Sequence, residues 1–125
     1  MPTERFPRGD DPVERLRAIC LALPEATEQE TWGHPTFRVR DKIFAACGDS
    51  DEAGLSMTCK APAGAQEVLV ASDPERFFRP AYVGHRGWIG VRLDGPVDWD
   101  QIDDLVEESY RMTAPKRLAA RLTSR

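Results

Sequence analysis

Apolar positions fall at helical spacing near the start of the chain and alternate with polar ones after it. Val13, Leu16, Ile19, Cys20 and Leu23 form one stripe, which predicts an amphipathic helix over residues 11–23. Asp10 or Asp11 supplies a cap, Pro12 suits the first turn, and Pro24 stops the helix. Thr27 to Trp32 is extended but polar, and Gly33-His34-Pro35 breaks the chain. Thr36-Phe37-Arg38-Val39-Arg40 then alternates, with Phe37 and Val39 inward and Arg38 and Arg40 outward. Asp41-Lys42 turns the chain into Ile43-Phe44-Ala45-Ala46-Cys47. After an acidic loop from Gly48 to Gly54, Leu55-Ser56-Met57-Thr58-Cys59 alternates again, so three strands make a meander.

Pro62 opens a second helix to about Ala71, with Ala65, Val68 and Leu69 inward. Asp73-Pro74-Glu75 turns toward Phe77-Phe78, and residues 87–93 read as a strand. Ile89, Val91 and Leu93 take one of its faces, and Trp88, Gly90 and Arg92 the other. Asp98 caps the last main helix with Gln101 as its capping-box partner. Trp99, Ile102, Leu105, Val106, Ser109 and Met112 mark its inner face, and Pro115 ends it. Leu118 to Leu122 reads as a loose basic helical tail.

The order is α-β(3)-α-β(2)-α, an α+β class in two layers with an antiparallel sheet and helices mainly on one face. Residues 1–10 read as a flexible segment, 11–118 as a single domain and 119–125 as a basic tail, which suits a chain of 125 residues. The expected core holds Leu16, Ile19, Phe37, Phe44, Met57, Val91, Leu105 and Val106.

Seventeen Lys and Arg against 21 Asp and Glu leave a net charge of -4, which argues against a non-specific polycation grip on nucleic acid. The charge is uneven. Residues 94–110 carry acids and no base, and residues 111–125 carry bases and no acid, an order that suits the macrodipole of the last helix. Cys20, Cys47 and Cys59 are an odd, widely spaced set, read as reduced buried thiols without a disulfide. Five Cys and His residues in all, none clustered, do not make a zinc site. No stretch approaches the roughly 18 apolar residues that span a bilayer. The N-terminus lacks an apolar h-region, so the expected location is cytoplasmic, with no membrane partner.

The chain has no G-x-S-x-G, H-E-x-x-H or P-loop motif, so no catalytic residue, metal ligand or cofactor is assigned. His34 and His85, each in a Gly-flanked loop, form the one candidate acid–base pair. The basic residues are more informative. Arg38, Arg40, Lys42 and Lys60, with His34, Arg86 and Trp88 at the rim, are expected to form one surface around the middle strands. Strand cations with an interleaved tryptophan meet phosphate and stack on a base. The same cations are also accounted for as outward strand residues balancing nearby acids.

Several segments are familiar in their order and spacing. Leu21-Ala22-Leu23-Pro24, Trp32-Gly33-His34-Pro35 with Phe37-Arg38-Val39, and Lys42-Ile43-Phe44-Ala45 come first. Leu55 through Lys60, Pro80-Ala81-Tyr82, Gly87-Trp88-Ile89 and Glu108-Ser109-Tyr110-Arg111 follow. Together they resemble the MmcQ/YjbR family over residues 12–118. The resemblance implies a two-layer α+β domain with a five-stranded antiparallel sheet, similar to secretion-chaperone-like folds. Its members are commonly labelled DNA-binding. With the basic surface, this points to a small non-enzymatic binding domain for nucleic acid. The alternatives are a protein-interaction or chaperone-like adaptor acting as a dimer, and a small-molecule binder or enzyme using the His34 and His85 loops.

Overall fold

A computed structural model describes residues 11–50 and 53–123. The segment 1–10 lies outside the described residues. Helix α1 runs Pro12–Leu21, and Asp11 Oδ1 accepts from the N–H groups of Val13 and Glu14, which fixes its start. The strands β1 (Thr27–Thr31), β2 (His34–Val39), β3 (Lys42–Ser50) and β4 (Gly54–Cys59) follow. Helix α2 (Ala65–Ser72), the two-residue strand β5 (Phe77–Phe78) and β6 (Ile89–Arg92) come next. Helices α3 (Trp99–Thr113) and α4 (Lys116–Thr123) come last among the described residues.

The six strands lie in the order β1-β2-β3-β4-β6-β5, all pairs antiparallel. The sheet has one strand more than the five the resemblance implies. Four strands rather than three precede α2, because the polar Thr27–Thr31 segment pairs with β2 as an edge strand. An edge strand needs no apolar face, so alternation does not reveal it.

Two registers explain the faces. Phe37, Ala45, Cys59 and Ile89 pair in one row and are buried toward the helices. The next row, Thr36, Ala46, Thr58 and Gly90, points to the opposite face, where the Phe78 ring covers Gly90. Pairing between β2 and β3 steps from Phe37↔Ala45 to Arg38↔Ile43, leaving Phe44 as the extra residue of a bulge. The bulge turns Phe44 into the core, edge-on to Tyr110 with ring centroids 5.4 Å apart.

Helix α3 lies over β3 and β4 and contacts α1 and α4. Asp98 caps it through Gln101 N–H, as expected. Its inner face is Ile102, Val106, Ser109 and Tyr110, and the Tyr110 hydroxyl donates to Pro24 O at 2.6 Å, tying α3 to the end of α1. Of the expected core, Leu16, Phe37, Phe44, Met57, Val91 and Val106 are buried, and Ile19 and Leu105 pack against them partly buried. All three cysteines are free and buried in that core.

Two expectations change here. The helical tail expected to be loose is packed: Leu118 and Leu122 of α4 sit four apart and bury one stripe against the core. Val68, expected inward on α2, is 67% exposed, and the polar Gln66 is buried instead.

Candidate functional site

The strand directions bring four chain segments to one end of the sheet: the β2–β3 turn, the end of β4, the start of β6 and the loop before it. A cavity of about 570 Å³ opens there, lined by Arg38, Asp41, Lys42, Ile43, Lys60, Ala61, Val83, Arg86, Trp88 and Met112. That volume falls within the ~300–1,000 Å³ typical of small-ligand sites.

Local backbone rules build its walls. The β2–β3 turn is the pair Arg40-Asp41, both with positive φ (52° and 66°), between the paired Val39 and Lys42. A two-residue turn of this sign matches the twist of the flanking strands. It stands one residue earlier than the expected Asp41-Lys42 turn, so Lys42 opens β3. The loop before β6 contains a 3₁₀ turn, Gly84–Arg86, and Gly87 at φ 86° ends it in the left-handed region. Buried Gln66 fixes this loop, its Nε2 donating to Gly84 O at 2.9 Å and Trp88 O at 2.5 Å.

At the deep side the β3–β4 ladder stops at Ala45↔Cys59. The next pair is bridged by a side chain of α3. The Lys60 N–H donates to Ser109 Oγ at 2.9 Å, and that hydroxyl donates to Phe44 O at 2.6 Å. The two strands thus part toward the cavity without leaving these backbone groups unpaired.

The lining is electrostatically one-sided, with four cations against one carboxylate, Asp41. Lys42, Lys60 and Arg86 make no ion pair among the described residues. Burial, and then the charges of Lys42 and Arg86, hold the Lys60 ammonium below the ordinary lysine range. Arg38 lines the wall but turns its guanidinium along the open sheet face, onto Thr36 Oγ1 at 3.3 Å and Thr31 Oγ1 at 3.1 Å.

Five of the seven residues expected to form one surface line this cavity: Arg38, Lys42, Lys60, Arg86 and Trp88. Arg40 does not. The left-handed turn breaks the alternation that would have put it beside Arg38, and it pairs instead with Glu25 at 2.8 Å. His34 does not either. It opens β2 at the far end of the strand, opposite Thr31, about 13 Å of strand from Arg38. His85 lies in the 3₁₀ turn at the cavity end, three strand positions away in the sheet order. The two histidines therefore form no acid–base pair, because antiparallel connections send their loops to opposite ends.

Met112 and Val83 in the cavity, and Gln66 and Ser109 in its support, are residues that the sequence pattern does not single out for the site. Met112 looked like an inward helix position, but α3 reaches past the edge of the core there and leaves it 46% exposed. Gln66 carried no signal, since a lone glutamine on a short helix reads as solvated.

Residues 21–112 match the model described as YjbR. The chain belongs to the YjbR family. The match takes in every residue lining the cavity. Among solved structures this YjbR domain is similar to a Deinococcus radiodurans protein with a DUF419 domain. The TM-score is 0.70 at 23% identity, over 80% of this chain and 76% of that one. It is also similar to a Pseudomonas syringae protein, with a TM-score of 0.56 at 22% identity over 72% of this chain and 88% of that one. No curated protein matches the YjbR chain. Among the described residues no helix is long and apolar enough to cross a membrane.

Proposed function

We propose that this YjbR domain is a binding domain that seats a nucleotide unit of single-stranded nucleic acid in the basic cavity. The phosphate lies among Lys42, Lys60 and Arg86, and the base lies on Trp88. One observation carries the reading: three cations without a carboxylate partner among the described residues share one concave site on a protein of net charge -4. Like charges held together repel, and an anion relieves that repulsion. Low-dielectric walls from Ile43, Ala61, Val83 and Met112 focus the field at the mouth. Trp88 adds a flat surface, and stacking is tolerant of base identity. A cavity of this size suits one splayed nucleotide better than the broad face of a duplex.

Fluorescence anisotropy with labelled single- and double-stranded oligonucleotides across salt tests this. Single strands bind more tightly, and one phosphate neutralised in the cavity gives a shallow log–log salt slope of about -0.7. Lys42→Ala and Arg86→Ala each weaken binding across all sequences and flatten that slope, and Trp88→Ala weakens single-strand binding with the slope kept. Absence of binding at low salt by the folded protein discards the reading in favour of the adaptor alternative. Binding that persists unaltered in a Lys42→Ala, Arg86→Ala double variant moves the site away from the cavity.

A further inference from the structure

We infer that Lys60 is a nucleophilic amine that captures, as a reversible imine, an aldehyde carried next to a phosphate. The placement is specific. Lys60 follows the last residue of β4, and its own N–H is fixed on Ser109 Oγ at 2.9 Å, so the side chain leaves a rigid base into the cavity. It shares that cavity with Lys42, Arg86 and Arg38 and with the apolar Ile43, Ala61, Val83 and Met112. A lysine that is partly desolvated and set beside other cations gives up its proton more readily, which makes the amine a nucleophile. The lowered proton affinity of Lys60, caused first by burial and then by Lys42 and Arg86, agrees with that placement. By contrast Lys42 and Lys116, the other lysines of the chain, are exposed.

The chemistry balances without a cofactor. The neutral Lys60 Nζ adds to the carbonyl carbon, forming a C–N bond and a carbinolamine. Loss of the carbinolamine oxygen as water, with both amine protons leaving the nitrogen, gives the imine, and hydrolysis reverses it. Lys42 and Arg86, not the neutral Lys60, supply selectivity by holding the phosphate while the amine meets the aldehyde. Two sources offer this pairing: a free phosphorylated aldehyde, and an abasic site in a nucleic acid, whose sugar aldehyde is flanked by phosphodiesters. The second source rests on the function proposed above.

Reductive trapping tests the inference and separates the sources. The full chain is incubated with sodium cyanoborohydride and one of three aldehydes: glyceraldehyde 3-phosphate, glyceraldehyde, or a single-stranded oligonucleotide with one abasic site. Peptide mass spectrometry locates the secondary amine. The expected adduct is on Lys60 ahead of Lys42 and Lys116, and forms about tenfold faster with the phosphate than without, as one charge-assisted contact provides. Lys60→Arg keeps the charge and loses the adduct, while its thermal melt reports that the fold is kept. If that variant does not fold, the wild-type peptide map decides alone. Trapping of the sugar phosphate without any affinity for unmodified oligonucleotides keeps this inference and discards the nucleic-acid reading. Oligonucleotide binding without an adduct on Lys60 in any arm does the reverse. Adducts spread evenly over the three lysines, or equal rates with and without phosphate, overturn the inference.

Discussion

Ser109 and Lys60 meet where the sheet opens: the serine hydroxyl, sent from α3, accepts a hydrogen bond from the Lys60 N–H at 2.9 Å and donates one to Phe44 O at 2.6 Å. One side chain thereby replaces a rung of the β3–β4 ladder. Ser109→Ala removes it and leaves a buried carbonyl and a partly buried N–H unpaired. The expected loss is about 1–3 kcal/mol in urea unfolding. A variant as stable as the parent would mean that the strands close on each other when the bridge is removed.

Gly90 lies beneath the Phe78 ring, where an added Cβ would overlap the ring atoms, and the Arg92 guanidinium sits 4.9 Å above the same ring. Arg92 is in turn held by Pro74 O and Glu75 O, so the ring has little room to yield. Gly90→Ala is expected to cost about 1–3 kcal/mol by overpacking. In a Phe78→Ala background the same change costs less, with a coupling of about 0.5–3 kcal/mol between the two sites. A double-mutant cycle that sums to zero would separate Gly90 from the ring.

Burial pushes the Cys59 thiol from 9.0 up to about 12, and the thiols of Cys20 and Cys47 also shift upward for the same first reason. The folded chain therefore keeps protons that the unfolded chain releases. That stability is fully present below about pH 9 and is lost as the pH rises toward the folded value, at about 1.4 kcal/mol per pH unit for each thiol. Urea melts between pH 9 and 10 are expected to show a shallower decline for Cys59→Ala than for the parent. Identical declines would show that Cys59 ionises as easily folded as unfolded.

Much of this architecture is written as period two and period 3.6 along the chain. Phe37, Met57, Ile89 and Val91 follow alternation into the core, and Leu16 and Cys20 follow the helical stripe. What escapes is whatever local exceptions decide. The bulge at Phe44 shifts the phase of β3 by one residue, and the left-handed Arg40-Asp41 turn takes Arg40 out of alternation. Gln66 is buried because two carbonyls from a distant loop need its amide, a reason no local pattern contains. The gathering of Lys42, Lys60, Arg86 and Trp88 was legible, because each sits at a strand end or in the loop leading into one, and antiparallel pairing fixes which ends coincide. His34 shows the other side of that rule. Its residue type suited the site, and its strand delivered it to the wrong end.

The borders of the sheet carry a last consequence. One border, β1, is Thr27-Glu28-Gln29-Glu30-Thr31, with no apolar side chain and with Glu28 held by Arg17 at 2.7 Å. The other, β5, is two residues long and runs into Arg79 and Pro80, and proline has no N–H to offer. Neither border is a template onto which a foreign strand zips, so the chain is guarded against edge-to-edge polymerisation even when crowded. A foreign strand would meet the carboxylates of Glu28 and Glu30 along β1, and only two residues of ladder along β5.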